Sequence, residues 1–266
     1  NAILVPQIVR AKLRPDGDEF VNRIITLSLA VLAVATVALT LAAPLLVRIY
    51  SRFDDPAALR LTTIFAVICL PQIFFYGLFT ILGQVLNANG RFAGYMWAPA
   101  LANVVAVLGL VWFQQAGHPS GAAPADWTPE MIAILAGSAT LSIAIQALAL
   151  VIPLRRIGFR YRPLWGIRGH GLGEVSRVAK WTFGSIVVSQ LGYVVTSRVL
   201  TGTTSRGAAI GESVSGLTAY SQAFLIVMLP HGLVTVSLVT ALYTSLSVAA
   251  SHGDTRQVRR YHDQGM

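Results

Sequence analysis

The stretch that decides the fold is Ile24–Tyr50, which reads IITLSLAVLAVATVALTLAAPLLVRIY. Its single charged residue, Arg48, stands near the end of the run. A helix needs about 20 mainly apolar residues to cross the roughly 30 Å hydrocarbon core of a bilayer. The apolar residues are continuous rather than alternating, which is typical of a spanning helix and not of a strand in a membrane barrel. This stretch therefore predicts a membrane-spanning α-helix.

Working outward, five more runs have the same character. They are residues 61–86, 95–113, 131–153, 181–200 and 217–248. Pro230-His231-Gly232 interrupts the last run, which we interpret as one kinked helix, with two half-helices as the weaker alternative. The sequence predicts an all-α polytopic membrane protein whose six spans, 24–50 included, form a single transmembrane domain over residues 1–266.

The composition of the chain agrees with a lipid environment. Of its 266 residues, 55% are hydrophobic and 12% are charged, about half of the roughly 25% charged residues in soluble domains. This excludes a typical soluble enzyme and a disordered chain. The net charge of +9 is spread over short stretches between the apolar runs. That distribution favours contact with anionic membrane lipids over binding of nucleic acid.

Lys and Arg divide unevenly between the two sets of connections. The set that contains both chain ends holds fifteen, the opposite set holds four, and Arg198 stands inside a span. Cytoplasmic loops carry the excess of Lys and Arg, so we expect both ends to be cytoplasmic and Gln114–Glu130, which has neither, to be external. Because the chain begins with Asn1 and shows no signal peptide, we expect it to be an excerpt of a longer polytopic protein.

Motifs for covalent chemistry do not occur in the sequence. It has no G-x-x-x-x-G-K-[ST] phosphate loop, no H-E-x-x-H pair and no paired carboxylates within the apolar runs. The glycine run Gly169–Gly173 follows a basic loop, which favours a flexible connector over a nucleotide site. We therefore expect a protein that is not an enzyme and that uses no cofactor or metal.

One segment carries a family resemblance. Gly83–Phe92 reads GQVLNANGRF, and Ala98–Asn103 reads APALAN. Together they resemble the L-N-A-x-x-R-F…A-P-x-x-x-N signature between the fourth and fifth helices of the MurJ/MviN family of lipid II flippases. Val5–Gln7, Ser189-Gln190 and the segment around Pro230 resemble other parts of that family in the same order. Leu225 stands where many members carry an arginine in the eighth helix.

The resemblance implies that the chain covers helices three to eight of about fourteen in a fold of the MOP exporter superfamily. It implies a flippase that moves undecaprenyl-pyrophosphate-linked peptidoglycan precursor across the bacterial plasma membrane by alternating access. The implied partners are this lipid-linked precursor, anionic lipids, and cell-wall synthesis or division proteins. Two alternatives stay open: a related exporter, such as a polysaccharide-repeat flippase or a cation-coupled drug antiporter, and a non-transporting membrane anchor for cell-wall machinery.

Polar residues within the spans provide the candidate site. Arg198, Gln190, Tyr193 and Asn103 are the candidate substrate-binding residues, because polar groups inside a membrane mark transport paths. For Arg198, snorkelling to head groups weighs equally with an anion contact, and for Gln190 a packing role weighs equally with a cavity role. The candidate structural or gating residues are Pro230, His231, Gly232, Asn87, Gly90 and Arg91.

Overall fold

A computed structural model describes residues 17–117, 122–159, 161–166, 172–211 and 214–235. The α-helices in these ranges are α1 (Gly17–Leu41), α2 (Ala43–Tyr50), α3 (Pro56–Cys69), α4 (Gln72–Ala88), α5 (Phe92–Gln115), α6 (Pro129–Ala149), α7 (Val151–Arg156), α8 (Leu172–Ala209) and α9 (Leu217–Pro230). A 3-10 turn covers Pro124–Asp126, and a π-helical turn covers His231–Thr235. The described residues contain no strand.

Six helical stretches in the described residues are long and apolar enough to cross a membrane. They are Glu19–Leu41, Pro56–Ala88, Phe92–Gln115, Pro129–Arg156, Phe183–Gly207 and Leu217–Val234. The predicted all-α membrane fold with six spans is therefore confirmed. The predicted run 181–200 belongs to a longer helix, α8, which begins in the expected connector. The part of run 217–248 that follows Thr235 lies outside the described residues.

Prolines divide two of the predicted runs into consecutive helices. Pro44 lies at the start of α2, directly after the interruption at Ala42. Proline has no backbone N–H and its ring clashes with the preceding turn, so the helix of the first run does not continue through it. A second break at Leu70-Pro71 separates α3 from α4. The candidate span Glu19–Leu41 ends at the first break, whereas the span Pro56–Ala88 continues through the second.

A polar bridge from α6 stabilises the second break. The hydroxyl of Thr140 donates to the carbonyl of Ile68 at 2.9 Å, and it accepts from Nε2 of Gln72 at 3.0 Å. Such interhelical hydrogen bonds contribute about 0.6 kcal/mol on average within a membrane. Thr140 therefore joins the two helices on either side of the break to α6.

The larger apolar cluster lies where α1, α4, α5, α6 and α7 meet. Leu86 and Leu150 are fully buried there, and the rings of Phe79 and Tyr95 stack with centroids 4.8 Å apart. Lipid tails are as apolar as leucine, so within the membrane this cluster is stabilised by close van der Waals packing rather than by removal from water. This cluster fixes the helices around the family-like segment Gly83–Phe92.

The chain divides into two compact units between Arg198 and Val199. The first unit contains α1 to α7 and α8 as far as Arg198. The second contains the end of α8, α9 and the π-helical turn. In the span Leu217–Val234 none of the residues is buried within the described structure. The single transmembrane domain over residues 1–266 stays a prediction.

Candidate functional site

The candidate site lies at the C-terminal end of α2. The last four carbonyl groups of a helix have no partner within that helix. The carbonyl of Val47 accepts from the backbone N–H of Ser51 at 2.9 Å and from its Oγ at 2.6 Å. The carbonyl of Tyr50 accepts from Oγ of Ser197 on α8. Two of the four carbonyls are thus satisfied by hydroxyl and amide donors.

Arg198 of α8 satisfies the other two carbonyls. Its Nη1 donates to the carbonyl of Arg48 at 2.9 Å and to that of Ile49 at 3.1 Å. A cation is favoured at the C-terminus of a helix, where the aligned peptide dipoles place partial negative charge. Arg198, the charged residue inside the predicted run 181–200, therefore caps the C-terminus of α2.

Two more predicted residues face the same helix end. The hydroxyl of Tyr50 donates to Oε1 of Gln190 at 3.5 Å. The rings of Tyr50 and Tyr193 lie with centroids 6.2 Å apart and planes tilted by 50°. Residues 190, 193 and 197 are three and four positions apart, which places them on one face of a helix. We call Gln190, Tyr193, Ser197 and Arg198 the polar face of α8.

The side chains of the polar face can bind the end of α2, and they can also bind a polar ligand. Gln190, Tyr193 and Arg198 are exposed in the described structure, whereas Ser197 is 3% exposed. Amide, hydroxyl and guanidinium groups can bind an oxyanion or a sugar as well as backbone carbonyls. Sequence reasoning missed Tyr50 and Ser197. The only local signal for Tyr50 is its position as the last residue of the first run.

The motif between α4 and α5 forms a helix cap. The N–H of Arg91 donates to the carbonyl of Leu86, and the N–H of Gly90 donates to that of Asn87, both at 3.0 Å. Gly90 has a φ of +70°, which only glycine adopts without strain. This is the Schellman arrangement, and it ends α4 and turns the chain into α5.

The sequence model of one known family matches residues 1–266, and its description is lipid II flippase MurJ. The chain belongs to the MurJ lipid II flippase family. It is therefore a multi-pass membrane protein of a transport family that acts on lipid II in peptidoglycan biosynthesis. The resemblance drawn from Gly83–Phe92 is confirmed. The match supports the flippase interpretation over the related exporter and the membrane anchor.

Other predicted site residues of this MurJ-family chain lie on elements other than α8. Asn103 is exposed on α5, whereas the other candidate substrate-binding residues contact the end of α2 from α8. In the second unit, α9 ends at Pro230 and the chain continues as the π-helical turn. His231 and Gly232 are exposed there. Proline removes a backbone donor, which favours such a departure from α-helical hydrogen bonding. The gating role of this segment stays a prediction.

Proposed function

We propose that this chain forms part of the path by which lipid II crosses the bacterial plasma membrane, with alternate opening to the two sides. The observation that carries the proposal is the match to the MurJ family over residues 1–266. Moving a pyrophosphate through hydrocarbon is costly, so the path needs polar groups supplied by helices. In this proposal the polar residues of the path bind and orient the head group of lipid II. They take part in no covalent step, so the protein is not an enzyme and needs no cofactor.

In this proposal the polar face of α8 has two functions in turn. While the external side is closed, Arg198 caps α2 and joins the two helices. When the junction opens, the guanidinium exchanges backbone carbonyls for pyrophosphate oxygens, which also accept charge-assisted hydrogen bonds. Gln190 and Tyr193 then offer an amide and a hydroxyl to the head group. Asn103 contributes from α5, and Pro230, His231 and Gly232 provide flexibility in the last span.

The proposed orientation places both chain ends in the cytoplasm and the junction of α2 with α8 on the outer side. Its support is the distribution of fifteen basic residues against four. In this arrangement the chain corresponds to helices three to eight of about fourteen. Anionic lipids contact the basic cytoplasmic loops, and cell-wall synthesis or division proteins are further proposed partners.

Impermeant thiol reagents test this orientation in intact cells. With Cys69, the single cysteine of the chain, replaced by alanine, a cysteine introduced in the loop 114–130 should react. One introduced in the loop 155–177 should react only after the cells are opened. Reaction of the second loop in intact cells would overturn the orientation.

Complementation tests the function. The full-length protein should restore growth to cells depleted of their own lipid II flippase. Arg198→Lys should restore growth partly, because it keeps the charge but loses the planar fork. Arg198→Ala should fail, whereas Arg206→Ala, an exposed arginine in the last turn of the same helix, should behave as wild type. Failure of the wild-type protein to restore growth contradicts the proposal.

A further inference from the structure

A pocket of about 720 Å³ lies between α1, α4 and α7. Its walls include Ile25 and Leu29 of α1, which face Leu78 and Leu82 of α4. The four side chains are spaced by four residues on each helix, so they form two apolar ridges. The volume is within the range of about 300–1,000 Å³ found for ligand pockets. Its walls can therefore enclose a hydrocarbon chain.

The deepest lining residues of the pocket on α1 and α4 lie well inside the candidate spans. Leu29 lies ten residues after Glu19, where the first span begins, and Leu78 lies ten residues before Ala88, where the second span ends. At a rise of about 1.5 Å per residue, Leu29 and Leu78 lie about 15 Å along the helix axes from those ends. That is half of a hydrocarbon core of about 30 Å.

The mouth of the pocket carries a positive charge. Arg155, which lines it, stands one residue before the end of the span Pro129–Arg156, at the level of the lipid head groups. Its side chain is exposed and forms no ion pair with any residue that the structure describes. Arginine is well suited to bind a phosphate, because its planar group donates two parallel hydrogen bonds.

A fixed loop borders the same mouth. The hydroxyl of Tyr161, another lining residue, lies 3.0 Å from Oγ1 of Thr26 on α1. The N–H of the next residue, Arg162, donates to Oδ1 of Asn22 at 2.9 Å. These bonds hold residues 161–162 against α1. The pocket is therefore preformed rather than dependent on ligand for its shape.

We propose that this pocket binds one anionic phospholipid, with an acyl chain between α1 and α4 and the phosphate on Arg155. An acyl chain fills one leaflet, which matches the depth of the walls, whereas the polyprenyl tail of lipid II is much longer. This site goes beyond the proposed function, which gives anionic lipids loop contacts only and assigns them no pocket. In the proposed orientation the phospholipid belongs to the cytoplasmic leaflet, and it ties the first two spans to α7.

Native mass spectrometry of the full-length protein with added phosphatidylglycerol tests the head-group contact. Arg155→Gln should weaken binding of one phosphatidylglycerol molecule about five-fold, the effect expected for one arginine near a phosphate. Arg156→Gln is the matched control, because this exposed neighbour does not line the pocket, and its binding should stay within two-fold of wild type. Equal binding of phosphatidylglycerol and zwitterionic phosphatidylethanolamine to the wild-type protein would overturn the head-group assignment.

Filling the pocket tests the acyl-chain contact. Leu29→Trp should abolish the bound phosphatidylglycerol, whereas Val31→Trp should retain it, because Val31 on the same helix is 60% exposed and lines no part of the pocket. Retention of the lipid by Leu29→Trp, or its displacement by equimolar lipid II, would overturn the proposal. Lipid II transport is measured separately, so a failure of the proposed function would not change this readout.

Discussion

Replacement of Arg198 by alanine removes both hydrogen bonds from its Nη1 to the end of α2, at 2.9 and 3.1 Å. Hydrogen bonds to charged groups contribute about 1.5–3 kcal/mol each. Because the side chain of Arg198 is exposed, hydrogen bonds from water and lipid head groups replace much of this free energy in the separated helices. A charge at an exposed helix end contributes about 0.3–1 kcal/mol. We expect a loss of about 1–2 kcal/mol from the association of α2 with α8, a factor of about 5–30 in the ratio of joined to separated helices.

Spin labels measure this ratio directly in the full-length protein. Leu45 on α2 and Val195 on α8 are 60% and 64% exposed, so cysteines there accept labels in the Cys69→Ala background. The unmodified junction should give one short distance, and Arg198→Ala should add a longer one. Arg198→Lys should lie between them, because an ammonium group can cap the helix but has no planar fork. An unchanged distance distribution in Arg198→Ala would refute the capping role.

Three further substitutions test the fold that supports the site. Gly109→Ala should lower the free energy of unfolding by about 1–3 kcal/mol, because its new methyl group would collide with Ser138 of α6. Gly137→Ala should not lower it, because the space there is open. Gly90→Ala should cost about 1–2 kcal/mol, since its φ is +70°, and equal melting temperatures would contradict the cap. Asn22→Ala should accelerate chymotrypsin cleavage after Tyr161, because the N–H of Arg162 loses its acceptor, Oδ1 of Asn22; an unchanged cleavage rate would contradict that anchoring role.

The spans could be predicted from the sequence because lipid imposes long apolar runs on any helix that crosses it. The end of α4 could also be predicted, since Asn and Gly in Asn87–Gly90 are typical of a helix cap. The interruption at Ala42 could not be located, because a proline indicates that a helix is perturbed without stating where it divides. The true start of α8 was missed for a related reason. Its first turns are polar, and hydropathy detects only the part of a helix that lies in hydrocarbon.

The candidate site could be predicted only in part, because sequence patterns are local and the contacts of the site join distant segments. Gln190 and Tyr193 are three residues apart on α8, which indicates a shared face because helical periodicity is local; Arg198 is five residues after Tyr193, and this spacing alone does not place it there. Their partners, residues 48–50 at the end of α2, lie about 140–150 residues earlier in the chain, and no pattern within one run indicates which distant helix end α8 meets. Asn103 was grouped with them by its polarity alone, and the structure leaves it on another helix.

The most direct test of the central claim is lipid II translocation by the purified full-length protein in liposomes. Fluorescent lipid II placed in one leaflet should reach the other in minutes and become accessible to a membrane-impermeant quencher. Arg198→Ala should slow this transfer about five-fold, the effect expected when one arginine near a phosphate is lost, while Arg206→Ala keeps the wild-type rate. If lipid II crosses no faster in liposomes with the protein than in protein-free liposomes, the account of this chain as part of a lipid II flippase is contradicted.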